Sequence, residues 1–204
     1  MSAKTENDAA GSPAVEPLRL QAILEFLQEA ARLKDTLRNT RTAEGRQEST
    51  AEHTWRLCLM VMLFSAELPG IDMLRLLKIC IVHDLGEAIS GDTPAVAQHA
   101  GDGRADRERD DLVTLCGPLP ADLEREILDL WDEYKQAKTP EAILAKGFDK
   151  LETIFQHAIG ANEDDFDYVF NLGYGAEQTA RHPLLKQIRA LADTVTADRA
   201  NAAG

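Results

Sequence analysis

Two histidines and two aspartates in this sequence are typical of a single metal site. His83 and Asp84 are adjacent, and they end a long apolar run that starts near Leu74. A further histidine, His53, precedes them, and Asp149 follows far downstream. A charged carboxylate at the end of an apolar segment is costly to bury alone, and a divalent cation is a common partner for it. The order histidine, histidine–aspartate, aspartate therefore predicts a four-ligand metal site.

The types of these ligands narrow the metal and the chemistry. Imidazole nitrogens and carboxylate oxygens suit Mn²⁺, Fe²⁺, Co²⁺, Ni²⁺ or Zn²⁺, and the absence of a thiolate argues against a closed structural zinc site. Four protein ligands leave one or two positions open on an ion that prefers five or six. An open position can hold a water and lower its pKa towards neutrality, which makes hydroxide available as a nucleophile. We therefore expect one divalent transition-metal ion in a hydrolytic site.

Predicted helices explain how ligands so far apart in sequence could meet. Ser49 and Glu52 form a capping-box pattern, which predicts a helix that carries His53 in its first turns. Asp72 is a suitable cap for the next helix, which contains the apolar run. That helix presents the His83–Asp84 pair near its C-terminal end.

The rest of the chain also has helical patterns. Prolines followed by apolar residues at spacings of three and four predict helices that begin near Pro17, Pro120, Pro140 and Pro183. The polar segment 35–48 is predicted to be a loop, and no stretch alternates with β-branched enrichment. These patterns predict an all-α fold, a single helical bundle with the metal site between helices.

Length and charge limit the domain organisation and the partners. The 204 residues fit one domain over residues 16–197, with a disordered tail over 1–15 and a frayed C-terminal tail over 198–204. The formal net charge of −13 argues against nucleic acid as a main partner, because binding a polyanion needs clustered lysines and arginines. A small phosphorylated substrate remains compatible, since a metal and one or two arginines can neutralise it locally.

Cysteine usage and hydropathy predict the compartment. Cys58, Cys80 and Cys116 are odd in number and widely spaced, which is typical of free thiols in a reducing compartment. The N-terminus lacks the basic and apolar regions of a signal peptide, and no apolar stretch reaches transmembrane length. We expect a cytoplasmic protein without a membrane partner.

The four predicted metal ligands, all placed on helices, resemble those of the HD-domain metal phosphohydrolases. The segment Val82–Pro94 closely resembles the HD motif of the 5′-deoxynucleotidases, and so does Arg32–Lys34 followed by Arg38. The resemblance covers about residues 20–185. It implies an HD-domain helical bundle, a nucleotide substrate and a homodimer, which members of the family commonly form.

The resemblance also implies roles for individual residues. Glu87 lies one helical turn after His83, and the matching glutamate of the family is a candidate acid/base that could protonate the departing 5′-oxygen. Arg38 matches an arginine that contacts the substrate phosphate, a role suited to a planar bidentate donor. Asp92 matches a carboxylate that accepts from the deoxyribose 3′-hydroxyl. Arg46 is an extra basic group in the same segment, and we predict that it also binds substrate.

Two details refine this prediction. The family has a tryptophan after the phosphate-binding arginine, and this sequence has Asn39, which would weaken the exclusion of a ribose 2′-hydroxyl. Dinuclear HD proteins need two further histidines between the HD pair and the final aspartate. Only His99 lies there, so the resemblance implies one ion.

The predicted function is that of a metal-dependent phosphomonoesterase. It would hydrolyse (deoxy)ribonucleoside 5′-monophosphates to nucleoside and phosphate with metal-activated water. One alternative is an HD phosphohydrolase for another nucleotide, such as a ribonucleotide, a triphosphate or an alarmone. Another is a non-catalytic module that senses nucleotides.

Overall fold

Helices dominate the part of the chain that the computed structural model describes, which is residues 14–97, 99, 103–163 and 166–203. The longer helices are α1 (Pro17–Ala30), α2 (Thr50–Leu63), α3 (Met73–Val82), α5 (Arg104–Cys116), α6 (Ala121–Gln136), α7 (Pro140–Ile159) and α10 (Pro183–Ala203). The shorter ones are α4 (Glu87–Ser90), α8 (Tyr168–Gly173) and α9 (Ala176–Thr179). The strands β1 (Leu37–Arg41) and β2 (Gln47–Ser49) form an antiparallel hairpin between α1 and α2. The all-α prediction is confirmed for the bulk of the fold.

Several helices begin at their sequence signals. The side chain of Ser49 accepts from the backbone N–H of Glu52, whose carboxylate accepts from the backbone N–H of Ser49, which completes the predicted capping box. Asp72 caps α3 through its side chain. Pro140 occupies the first turn of α7, where a missing N–H costs nothing, and Thr139 caps that helix.

The segment 35–48 differs from its predicted loop, because most of it forms the β-hairpin. Along β1 the exposed side chains of Leu37 and Asn39 alternate with the buried side chains of Arg38 and Thr40. The inward residues are polar, and so the alternation carries no hydrophobic signal for a strand. The hairpin thereby turns Arg38 into the interior.

The C-terminal end also differs from the prediction of a frayed tail. Helix α10 continues to Ala203 and so includes most of the segment 198–204. Arg199 explains part of this extension, because it donates to the carbonyl oxygen of Gly160 at 2.8 Å and lies over the ring of Tyr168. The predicted N-terminal tail falls almost entirely on residues 1–13, outside the described residues.

Helix α7 lies at the centre of the fold. It packs against α2, α3, α6 and α10, and its residues Phe148, Leu151 and Ile154 are fully buried. Helix α2 presents His53 to Asp149, whereas His83 and Asp84 lie on the turn directly after α3 and not on a helix as predicted. No helix in the described ranges is both long and apolar enough to cross a membrane.

Candidate metal centre

The four predicted metal ligands converge between α2, the C-terminal end of α3 and α7. His53 Nε2 lies 3.3 Å from Asp149 Oδ1 and 3.8 Å from Asp84 Oδ2. His83 Nε2 lies 2.9 Å from Asp84 Oδ2 and 3.9 Å from Asp149 Oδ1. The two imidazole rings are 5.5 Å apart between centroids. The ligand atoms of His53, His83 and Asp84 all lie within 4.8 Å of one another, and Asp149 Oδ1 approaches this group at the two histidine nitrogens.

The hydrogen bonds of the two histidines test whether this cluster fits a metal. His83 donates from Nδ1 to the carbonyl oxygen of Cys80 at 2.7 Å, and Nδ1 of His53 contacts the carboxylate of Glu152. In each ring Nε2 is buried, and it has no hydrogen-bond partner among the described residues. Nitrogens left this way beside carboxylates suit a divalent cation, which His53, His83, Asp84 and Asp149 would hold.

Asp149 is fixed by two donors on its other oxygen. The hydroxyl of Tyr134 donates to Oδ2 at 2.6 Å, and Lys150 Nζ lies 2.9 Å from the same atom. Oδ1 therefore faces the histidines. Burial alone would raise the pKa of Asp149, but Lys150, His53 and His83 hold it well below its usual value. The carboxylate is ionised, as a metal ligand must be.

Glu87 lies beside the cluster at the start of α4. The sequence placed it one turn beyond His83 on a single helix, but α3 ends at Val82 and a short turn precedes α4. Thr50 Oγ1 donates to Glu87 Oε2 at 2.9 Å. Burial, together with the carboxylates of Asp84 and Asp92, raises the pKa of Glu87 to about 9. Glu87 therefore carries a proton at neutral pH in the metal-free protein.

Arg38 enters the same region from β1 and is almost fully buried. It donates from Nη1 to Glu48 Oε2 at 2.9 Å and from Nη2 to Thr153 Oγ1 at 3.0 Å. Its Nη1 also lies 3.5 Å from Glu152 Oε2. These contacts hold the guanidinium in one orientation beside the metal cluster.

Asp92 and Asn39 lie next to each other on the turn after α4 and on β1. The carboxylate of Asp92 accepts from the backbone N–H of Asn39. Burial, together with Asp84, raises the pKa of Asp92 despite the opposing charge of Arg38. The two predicted sugar-facing positions are therefore coupled through the backbone of the hairpin.

Arg46 lies elsewhere. It donates from Nη1 to Glu52 Oε2 at 2.9 Å, and its side chain is 62% exposed. The hairpin turns it towards the N-terminus of α2, where it supports the capping-box carboxylate. The structure thus brings Arg38, Glu87 and Asp92 together but does not bring Arg46 to them.

A cavity of about 870 Å³ opens onto the cluster. Among the residues that line it are Arg38, Asp84, Glu87, Asp92 and Asp149. Aromatic side chains from the region of α8 line it as well, namely Phe166, Phe170 and Tyr174. An ionised cluster, a fixed guanidinium and an apolar wall in one cavity can hold a small phosphorylated molecule with a flat ring.

Sequence reasoning missed the residues that support this cluster. Glu152 is fully buried, and it is a carboxylate within the apolar stretch of α7, one turn after Asp149. A carboxylate in such a stretch is itself a signal, because burial needs a partner. Tyr134 lies on α6, and no local sequence pattern relates its hydroxyl to Asp149.

Comparisons with known proteins agree with this arrangement. The HD domain family matches residues 30–189. The 5′-deoxynucleotidase HDDC2 of Dictyostelium discoideum is 35% identical over 141 residues, which cover 65% of this chain and 74% of that protein. The 5′-deoxynucleotidase hdd1 of Schizosaccharomyces pombe is 31% identical over 176 residues, which cover 81% of this chain and 85% of that protein.

A solved structure supports the same assignment. It is a protein described as a predicted metal-dependent phosphohydrolase from Magnetospirillum magnetotacticum MS-1, with a TM-score of 0.73 and 25% identity. The match covers 90% of this chain and 96% of that one. The family predicted from the HD motif is confirmed: this chain belongs to the HD domain family of metal-dependent phosphohydrolases, alongside the 5′-deoxynucleotidases.

Proposed function

We propose that this protein hydrolyses (deoxy)ribonucleoside 5′-monophosphates to nucleoside and inorganic phosphate. One observation carries the proposal. The metal cluster, the fixed guanidinium of Arg38 and the protonated carboxyl of Glu87 line a single cavity. Its volume of about 870 Å³ lies within the usual range for small-molecule sites. The relatives named 5′-deoxynucleotidase support the substrate class.

Arg38 would bind the substrate phosphate. A guanidinium has five N–H donors, and the contacts to Glu48, Thr153 and Glu152 leave at least two of them for a ligand. Because Arg38 is already held, it would lose little side-chain entropy on binding. A divalent ion bound by the cluster would polarise the phosphoryl group and acidify water.

Glu87 would supply the proton that the leaving group needs. Water attacks phosphorus, the bond between phosphorus and the 5′-oxygen breaks, and the nucleoside leaves as an alcohol once that oxygen is protonated. Burial is the largest cause of the raised pKa of Glu87, and a carboxyl that burial keeps protonated can donate this proton near neutral pH. The hydrogen bond from Thr50 would orient it.

Asp92 and Asn39 would face the sugar. Asp92 would accept a hydrogen bond from the 3′-hydroxyl, while its bond to the backbone of Asn39 fixes its position. The small exposed side chain of Asn39 lines the cavity and leaves room near the 2′-position. We propose weak discrimination between ribose and deoxyribose for this reason.

The experiment is phosphate release from deoxy- and ribonucleoside 5′-monophosphates. Bound metal is first removed from the protein with a chelator, and Mn²⁺, Co²⁺, Fe²⁺, Ni²⁺ or Zn²⁺ is then added. Asp84→Ala is the inactive control. We expect metal-dependent release that the variant loses, and the most active ion identifies the preferred metal. No release with any ion, in protein that binds one per chain, would contradict the proposal.

Product analysis separates the alternative substrates. A triphosphate substrate would yield tripolyphosphate or pyrophosphate, and an alarmone would yield a nucleotide as a product. A nucleotide-sensing module would bind nucleotide and metal without turnover. The protonated carboxyl of Glu87 beside the cluster favours turnover over sensing.

The predicted homodimer and cytoplasmic location are proposals that rest on other features. Leu20, Leu24 and Leu27 of α1 are about half exposed, at 48%, 52% and 54%, and would suit a second copy. Light scattering after size exclusion would give the mass in solution. The free thiols of Cys58, Cys80 and Cys116 suit a reducing compartment, which fractionation of cells would test.

A further inference from the structure

Glu152 joins the metal side of the cavity to its phosphate side. Its carboxylate is fully buried, and Oε2 contacts Nδ1 of His53 and lies 3.5 Å from Arg38 Nη1. Arg56 holds the other oxygen, with Nε at 2.7 Å and Nη2 at 2.6 Å from Oε1. Arg56 also donates to the backbone carbonyl of Glu152 at 3.2 Å.

We propose that Glu152 is the positioning residue that fixes His53 for the metal and Arg38 for the phosphate. An ionised carboxylate only accepts, so it holds a proton on Nδ1 of His53 and leaves Nε2 free for the ion. The same oxygen attracts the guanidinium of Arg38. The Arg38 part of this inference rests on the proposed function, and the metal part does not.

The geometry explains why one carboxylate can position both His53 and Arg38. His53 and Arg56 are one turn apart on α2, so α2 presents both to Glu152 on α7. Arg56 takes Oε1, which leaves Oε2 for His53 and Arg38. Each oxygen therefore has its own set of donors.

Glu48, His53 and Glu152 have ligand atoms close enough to hold a second cation. Arg38 already supplies that cation, because its Nη1 lies 2.9 Å from Glu48 and 3.5 Å from Glu152. Arg38 and Arg56 also match the two carboxylates in charge. This trio is thus a closed ionic network that supports the metal centre.

The test compares metal affinity in Glu152→Gln with that of a matched control. Glutamine keeps the size but replaces one acceptor oxygen by an NH2 donor, so its single oxygen cannot serve both Arg56 and His53, and the ring of His53 loses its fixed orientation. Chelated protein is titrated with Zn²⁺ and with Mn²⁺ against an indicator dye. We expect Kd to rise about 10- to 100-fold, the usual cost of removing such a partner of a metal ligand.

Glu133→Gln is the control. Glu133 is also buried at 9% exposure and pairs with an arginine, Arg75, but it does not line the cavity. Both variants lose an ion pair, and so both should unfold at a lower temperature. Only Glu152→Gln should weaken metal binding, and equal Kd values in the two variants would overturn the inference.

A second variant covers the case in which Glu152→Gln does not fold. Arg56→Lys keeps a positive charge but cannot hold Oε1 with two nitrogens, so metal Kd should rise several-fold. An unchanged Kd in Arg56→Lys would then overturn the inference.

The proposed effect of Glu152 on Arg38 is tested by measuring the binding of inorganic phosphate. Calorimetric titration of the metal-loaded protein should show several-fold weaker phosphate binding in Glu152→Gln than in Glu133→Gln. Equal phosphate binding would overturn this part. Neither titration needs turnover, so an inactive wild type would contradict the proposed function and leave the inference standing.

Discussion

The imidazole of His83 donates from Nδ1 to the carbonyl oxygen of Cys80, 2.7 Å away at the C-terminal end of α3. Helix ends leave such carbonyls without a partner in the helix, so the fold supplies an acceptor that no side-chain substitution removes. His53 has the opposite arrangement, because its Nδ1 depends on the side chain of Glu152. Metal affinity should therefore respond to the surroundings of His53 and Asp149 more than to those of His83.

Replacement of Tyr134 by phenylalanine tests the surroundings of Asp149. The hydroxyl of Tyr134 donates to Asp149 Oδ2 at 2.6 Å, and its loss leaves Lys150 as the one partner of that oxygen among the described residues. We expect the Kd for Zn²⁺ to rise about tenfold, as is usual for such outer partners. An indicator-dye titration measures it.

Tyr168→Phe is the matched control for that measurement. Tyr168 is also buried, and its hydroxyl accepts from Asn162 at 3.1 Å, but it does not line the cavity. It should leave metal binding unchanged. If both variants bound the ion as tightly as the wild type, the hydroxyl of Tyr134 would have no part in holding Asp149.

Replacement of Glu87 by glutamine should stabilise the metal-free protein at alkaline pH. The pKa of Glu87 is about 9 in the folded protein, against about 4.3 for an unfolded glutamate. Its contribution to stability is intact below about pH 4, where the folded and unfolded states both hold the proton. Between about pH 4 and pH 9 only the folded state holds it, so this stability is lost as the pH rises through that range. Glutamine does not titrate.

Melting temperatures in the presence of a chelator check this expectation. The melting temperature of Glu87→Gln minus that of the wild type should increase steadily from pH 5 to pH 9. A difference that stays constant over this range would mean that Glu87 titrates normally. The metal-loaded variant should also release phosphate more slowly, since glutamine cannot donate a proton to the leaving oxygen.

The sequence alone predicted most of the long helices and proposed four metal ligands, which the structure places close together, but it did not predict α5 or the short helices. Capping signals at Ser49 and Asp72 are local, and the HD pair stands at the end of an apolar run. What it could not supply were the contacts made across the fold. The hydroxyl of Tyr134 and the carboxylate of Glu152 meet the ligands only after helices distant in sequence have packed.

The β-hairpin is a second feature that the sequence did not predict, because local patterns do not show which of its side chains face the interior. Arg38 and Arg46 are both basic residues of one polar segment, and both were predicted to bind substrate. The register of the hairpin places them differently, because Arg38 points inward from β1 whereas Arg46 precedes β2 and faces outward to Glu52. A polar hairpin has no hydrophobic alternation from which to read that register.

Replacement of Arg46 by alanine should therefore affect α2 and leave the cavity unchanged. Its pairing with Glu52 is the main cause that lowers the pKa of Glu52 to about 2. Solvent screens an ion pair as exposed as this one, so only a small loss of stability is expected. KM for the nucleotide should stay within about twofold, whereas Arg38→Lys should raise it, because lysine lacks the planar pair of donors.

The pH dependence of Arg46→Ala provides a second check. Because its pKa is lowered in the folded state, the carboxylate of Glu52 contributes stability above its unfolded pKa of about 4.3. That contribution is lost as the pH falls to about 2. The difference in melting temperature between wild type and variant should shrink over that interval. A rise in KM equal to that of Arg38→Lys would instead assign Arg46 to the substrate.

Gly86 lies between Asp84 and Glu87 and packs against the backbone of α5. A Cβ at this position would lie 2.7 Å from the backbone carbonyl oxygen of Glu108 and 3.4 Å from the backbone nitrogen of Leu112. Backbone atoms of a packed helix cannot rotate away, so alanine would push α5 from α4. We expect Gly86→Ala to lower the free energy of unfolding by about 1–3 kcal/mol, the range for overpacking. Metal affinity should also fall, because Asp84 moves with the turn.

Gly173→Ala separates crowding from the change of residue type. Gly173 ends α8, and a Cβ there meets nothing within 4 Å. Urea unfolding should show this variant to be as stable as the wild type, with the metal Kd unchanged. If Gly86→Ala instead left the stability to urea and the metal Kd unchanged, α5 would move at no cost. Its close packing on this turn would then not hold Asp84 and Glu87 in place.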